Sequence, residues 1–229
     1  VHRRVRMTEL PIMLAITAGA TLLMIDHVIT RVEGGLLAIG LLGYVLFIIK
    51  AHRVDIEHEG DDAIAHPKSI KMDLLLIGLG IAGLGLGAKG LVWGASELAI
   101  MVGVPAGVVG TTIVAFGTSL PELAATVRAA MSKESDMAVG NVVGSNIFNL
   151  LSVLGITALI QPLTTPSEMS LDIWMMLAVS TFLVILVLFR PALGRFLGTL
   201  FVLGYVAYIV LSFVRPDAVS GPLSGPITG

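Results

Sequence analysis

Long apolar stretches separated by short polar islands dominate the chain. A membrane span needs about 20 mostly apolar residues, and about seven segments qualify: 9–29, 34–50, 72–101, 104–131, 136–161, 171–189 and 193–213. Between the second and third lies a polar linker, 51–71, carrying Asp55, Glu57, Glu59, Asp61 and Asp62. The tail 216–229 is rich in Ser, Gly and Pro and is expected to be disordered. Two apolar segments carry polar interruptions: Gly117-Thr118-Ser119-Leu120-Pro121-Glu122, and Gly140-Asn141-Val142-Val143-Gly144-Ser145-Asn146-Ile147-Phe148-Asn149. A carboxylate at the bilayer centre costs about 2.5–3.5 kcal/mol on insertion scales. Pro121 removes a backbone donor and frees the carbonyl of Gly117. Irregular backbone at membrane depth is tolerated only against protein or a wet cavity. An oxygen-rich pocket inside a membrane protein is therefore expected.

Composition strengthens that expectation. The chain is 55% hydrophobic and 13% charged, about half the charged share of a soluble domain. With no cysteine, disulfide frameworks and thiolate metal sites are excluded. The basic residues are spread over several loops, which argues against a nucleic-acid partner. The sequence opens on Val1 with Arg3, Arg4 and Arg6 and no initiator Met. The apolar run that follows is too long for a signal peptide and has no small-residue cleavage site. Val1 reads as an internal cut in a longer protein.

Cationic side chains orient the spans, because cytoplasmic loops carry excess Lys and Arg. With a cytoplasmic N-terminus, only Arg31 and Arg215 fall outside. An internal repeat is visible as well. Ile12-Met13-Leu14-Ala15-Ile16-Thr17 aligns with Met175-Met176-Leu177-Ala178-Val179-Ser180, and Leu42-Gly43-Tyr44-Val45 with Leu203-Gly204-Tyr205-Val206. The copies start on opposite sides, as in the inverted repeats of many secondary transporters. In the third segment Gly83, Gly87, Gly90 and Gly94 form a small-residue stripe. Static close packing is its favoured reading, with a sliding surface as the alternative.

Ala115, Thr118 or Ser119, and Glu122 recur at three- and four-residue spacing and share one helix face. Asn141, Ser145 and Asn149 form a second polar stripe, flanked by Gly140 and Gly144, which permit close helix approach. Every ligand offered is oxygen, the preference of hard cations such as Ca²⁺ and Na⁺. Thr118 and Ser119 could instead donate to carbonyls one turn back. Asn141 and Asn146 are favoured as interhelical glue over ligands, and Asp136 as a helix N-cap.

This double motif resembles an α-repeat of the cation/calcium exchanger superfamily, most similar to prokaryotic sodium/calcium exchangers. The resemblance covers residues 9–213. It implies an all-α polytopic membrane protein whose seven or so transmembrane helices are part of a ten-helix inverted-repeat exchanger fold. Residues 1–50 would close the first half, 51–71 would be a cytoplasmic linker, and 72–215 a second five-helix repeat with the ion-binding motif. Carried over by position, Ala115 and Thr118 would give carbonyls to the metal, and Ser119, Glu122, Ser145 and Asn149 side-chain oxygens. Some relatives place Asp at the position of Asn149, which leans away from K⁺ dependence.

The resemblance implies a multi-pass antiporter of the inner (plasma) membrane, exchanging Ca²⁺ for Na⁺ by alternating access, with the lipid bilayer as its medium and no cofactor. H⁺- or K⁺-coupled exchange is the alternative. Calcium carries two charges and Glu122 offers one, so a second acid is expected from a missing N-terminal repeat or a second subunit. An intramembrane hydrolase with Ser119 as nucleophile fits poorly, because the five histidines, at 2, 27, 52, 58 and 66, all lie away from it in sequence. His52, His58 and His66 lack metal-ligand spacing and read as part of a solvated loop. Lys89 is expected to snorkel or pair. Glu97 lies two turns further along, too far for a direct pair with it.

Overall fold

The computed structural model describes residues 5–56, 70–104, 109–166, 169–189 and 194–214. A π-helical turn, Val5–Glu9, leads into α1 (Leu10–Leu23). Pro11 sits in the first turn of α1, directly after the π-helical turn, and brings no N–H to the hydrogen-bond ladder where the two meet. A two-residue strand β1 (Val28–Ile29) precedes α2 (Arg31–Ile56). The start of α2 is a reciprocal cap. Thr30 N–H and Oγ1 both donate to Glu33 Oε2 at 2.7 Å, and Glu33 N–H donates to Thr30 Oγ1 at 3.3 Å.

Helix α3 spans Ile70–Met101. The helix α2 continues to Ile56, so 51–56, expected in the polar linker, are helical. The rest of that linker up to Ser69, with His58 and His66, lies outside the described residues, as does the tail 216–229.

The fourth apolar segment is the one that departs most from a continuous span. A π-helical stretch, Gly110–Val114, passes into a single turn α4 (Ala115–Thr118), and the helix breaks at Ser119 before α5 (Leu120–Met131). The fifth runs as α6 (Ser135–Phe148), a π-helical stretch Asn149–Leu154, and α7 (Gly155–Ile160). Strand β2 (Leu163–Thr164), α8 (Ser170–Phe189) and α9 (Arg195–Val214) follow. Among the described residues five helices are long and apolar enough to cross a membrane: Val5–Leu23, Arg31–Lys50, Lys71–Met101, Ser135–Ile160 and Ser170–Phe189. Arg195–Leu211 is apolar but shorter. Since α6 begins at Ser135, Asp136 sits in its first turn instead of capping it, where a carboxylate still favours the helix N-terminus.

The chain forms two compact units that interleave along the sequence: Val1–Asp73 with Ala129–Pro191, and Leu74–Arg128 with Ala192–Gly229. In the first unit α1 packs on α8 and α6, and α2 crosses α7 and the π-helical stretch before it. Leu10, Met13, Leu37, Val143, Ile147, Leu151, Val184 and Val187 form its core. Thr17 and Thr21 are buried there because each hydroxyl donates to a carbonyl four residues back, at 2.8 and 2.9 Å. Strands β1 and β2 pair antiparallel, Val28 opposite Thr164 and Ile29 opposite Leu163. They tie the loop after α1 to the loop before α8.

In the second unit a Cβ added to Gly117 would collide with Val92, so the turn at α4 sits directly on α3. The stripe Gly83, Gly87, Gly90 and Gly94 is different. No described residue lies within 4 Å of where a Cβ would be at any of the four. Close packing against described residues is therefore not what these glycines serve.

Candidate functional site

Four of the expected ligands, Ala115, Thr118, Ser119 and Glu122, lie on consecutive turns around one helix break in the second unit. The break has a local cause. Pro121 cannot donate to Gly117, and the Ser119 N–H turns to Phe116 O, three residues back, at 3.1 Å. Ser119 takes φ −92° and ψ 2°, the bridge region where many functional residues sit. Its own carbonyl accepts from Leu123 N–H at 2.9 Å and restarts the helix. Thr118 Oγ1 donates to Ala115 O at 3.1 Å. Having spent its proton on a carbonyl, that hydroxyl presents only lone pairs, which suits a cation. The ligand expected from Thr118 is its carbonyl, which this side-chain bond does not use, so back-bonding by the hydroxyl and ligation by the main chain are compatible.

Glu122 lies in the first turn of α5, where the helix N-terminus favours a carboxylate. The residue is half-buried and its Oε2 is shielded from solvent. Ser119 is exposed.

Ser145 and Asn149 belong to the first unit. Ser145 Oγ donates to Val142 O at 3.1 Å, repeating the Thr118 arrangement. Asn149 is exposed, closes α6, and opens the π-helical stretch, a local widening frequent at functional sites. Asn146 Nδ2 donates to Val142 O at 2.8 Å within its own helix, so that amide bond is intrahelical where glue between helices was favoured. A Cβ at Gly140 or Gly144 would meet nothing within 4 Å, so no described residue packs against them. Ser152, buried at 6% exposure inside the π-helical stretch, escaped the sequence reading.

The second unit also holds an open, mostly apolar cleft of about 540 Å³. Its walls include Lys89, Trp93 and Ser96 of α3, and Gly117, Thr118 and Pro121 of the broken turn. Lys89 and Ser96 are seven residues apart, two helical turns, a same-face spacing that sequence could have shown. Glu97 is exposed and is not among the cleft's walls. Among the described residues no three His, Asp or Glu gather as a resident metal centre. The broken turn of the second unit offers hydroxyl and carbonyl oxygens with a single carboxylate, and the polar stripe of the first unit offers hydroxyl and amide oxygens.

Residues 72–214 match the profile of the family described as sodium/calcium exchanger protein. The chain belongs to the sodium/calcium exchanger family. This is a family of membrane transporters, not of enzymes, and its ions are cargo and not cofactors. The exchanger is 32% identical over 223 residues to the inner membrane protein YrbG of Escherichia coli, covering 93% of this chain and 68% of that protein. It is 43% identical over 117 residues to the sodium/calcium exchanger MaX1 of Methanosarcina acetivorans, covering 50% of this chain and 33% of MaX1. The fold matches that of the sodium-calcium exchanger NCX_Mj with a TM-score of 0.70 and 26% identity, over 94% of this chain and 67% of that one. The chain thus spans about two thirds of YrbG and of NCX_Mj and a third of MaX1.

Proposed function

We propose that the exchanger is a secondary antiporter of the plasma membrane that moves Ca²⁺ against Na⁺ by alternating access. Ala115, Thr118, Ser119, Glu122, Ser145 and Asn149 would supply its ion ligands. The observation that carries this reading is the turn 115–122. There a carboxylate, a hydroxyl with its proton already donated and a helix break sit within one apolar segment. A hard cation is the ligand that such an oxygen set fits. Glu122 contributes at most one negative charge, and an unneutralised divalent ion in low dielectric is costly. A second acid therefore comes from a further repeat or a second subunit. Asn149, an amide where an acid would add charge, favours Na⁺ coupling over K⁺ assistance.

The test is isotope flux of Ca²⁺ in proteoliposomes holding the full-length protein, under imposed Na⁺, K⁺ and H⁺ gradients in turn. Flux driven by Na⁺ alone is expected. Flux driven only by H⁺, or only with K⁺ present, would replace the coupling ion, and no Ca²⁺ flux under any gradient would refute the antiport.

A further inference from the structure

Lys89 sits where a lysine should not. The apolar span of α3, Lys71–Met101, has 31 residues, about 46 Å of helix, against a hydrocarbon core of about 30 Å. Centred in that core, the helix overhangs by about 8 Å at each end. Lys89 lies about 18 Å from Met101 along the axis, so it is well inside the core. The four-carbon stem is too short to bring its ammonium back to the interface, which removes snorkelling as an explanation. Nor has Lys89 a hydrogen-bond or ion-pair partner among the described residues.

What surrounds it is informative. Lys89 lines the cleft whose other wall is Gly117, Thr118 and Pro121 of the broken turn, so that of the proposed ligands Thr118 borders the cleft while Ala115, Ser119 and Glu122 are not among its walls. Two turns along the same face, Ser96 Oγ is buried without a hydrogen-bond partner and lines the same cleft. An unpaired ammonium and an unused hydroxyl thus flank a turn built for cations. Like charge beside a cation site repels the cargo, so its presence must change how much cargo binds.

We propose that Lys89 is a tethered cation of the ion pathway, standing in for one transported monovalent ion and so lowering by one the number of Na⁺ exchanged per Ca²⁺. The proposal rests on the antiport reading above. Calcium carries two charges and sodium one, so replacing one calcium without changing the charge in the pocket takes several sodium positions, at least two, for one calcium position. An ammonium on a flexible stem, with its three donors, takes one of those several positions and leaves the calcium position open. Its charge also weakens Ca²⁺ binding and so eases release.

The experiment measures the coupling ratio of the full-length protein in proteoliposomes, from the Ca²⁺ gradient that a set Na⁺ gradient sustains at equilibrium. Lys89→Met is expected to raise the ratio by one Na⁺ per Ca²⁺, and Lys89→Arg to keep the parent value. Titration of purified protein with Ca²⁺ is the second readout, independent of turnover. There Lys89→Met is expected to bind about tenfold more tightly, because a unit charge is removed from beside a divalent ion. A residue that only pairs structurally with a distant acid would move neither the ratio nor the affinity in this direction. An unchanged ratio in Lys89→Met, or an unchanged Ca²⁺ affinity where that variant does not turn over, overturns this inference alone. A parent protein without Na⁺-driven Ca²⁺ flux overturns the antiport reading and this inference with it.

Discussion

Gly34 of α2 and Gly155 of α7 meet backbone to backbone. A Cβ on Gly34 would lie 2.5 Å from Leu159 N and 2.7 Å from Gly155 O, and one on Gly155 would lie 2.8 Å from Leu37 Cβ and 3.2 Å from Gly34 O. The crossing comes directly after the π-helical stretch Asn149–Leu154. Helix α2, started by the Thr30–Glu33 cap, therefore braces the backbone that presents Asn149. Gly34→Ala should force these helices apart and lower stability in detergent by about 1–3 kcal/mol, the usual range for overpacking. Gly35→Ala is the control, because its Cβ would meet only Leu159 Cδ1 at 3.6 Å. Comparison of the two thermal midpoints checks the claim, and equal losses would refute it.

Glu122→Gln should abolish Ca²⁺ transport while leaving the fold intact. The amide keeps the shape of the side chain and removes the one negative charge that the turn 115–122 contributes. Vesicles carrying this variant and exchanging Ca²⁺ at the parent rate would show that the ion is held elsewhere.

Asn149→Asp adds a carboxylate at the mouth of the π-helical stretch. About tenfold tighter Ca²⁺ binding is expected, since a charged ligand replaces a neutral oxygen next to a divalent ion. Calorimetric titration reads this directly. Unchanged affinity would mean that position 149 does not face the ion.

Gly117→Ala should slow transport without removing any ligand, because its Cβ would strike the Val92 side chain and displace the broken turn. Val92→Ala removes the obstacle. The double variant should therefore recover rate that Gly117→Ala loses, and additive losses in the flux assay would argue against the contact.

Some of the local structure around the candidate site is legible in the sequence. Pro121 foretells a helix break because the loss of its N–H is local, and the break does fall within its own turn, at Ser119. The cap at Thr30 was legible too, as Thr30-Arg31-Val32-Glu33, although apolar pattern alone passed over it. The π-helical stretches at Gly110–Val114 and Asn149–Leu154 carry no compositional mark, because one inserted residue per turn changes hydrogen bonding without changing hydropathy. The glycine stripe at 83–94 shows a related limit of local pattern, since no described residue lies against it. Spacing shows that a close approach is possible, and only packing shows whether a partner makes it.

The sequence by itself determined which stretches are apolar and which oxygen atoms they offer. Both follow from short-range physics: the cost of polar groups in hydrocarbon and the three- and four-residue spacing of a helix. The tertiary structure alone decided that β1 lies on β2, that Gly34 faces Gly155, and that Lys89 shares a cleft with Thr118. Those are meetings of residues far apart along the chain. They depend on which surfaces fit at contact distance, and no local pattern of polar and apolar positions encodes that.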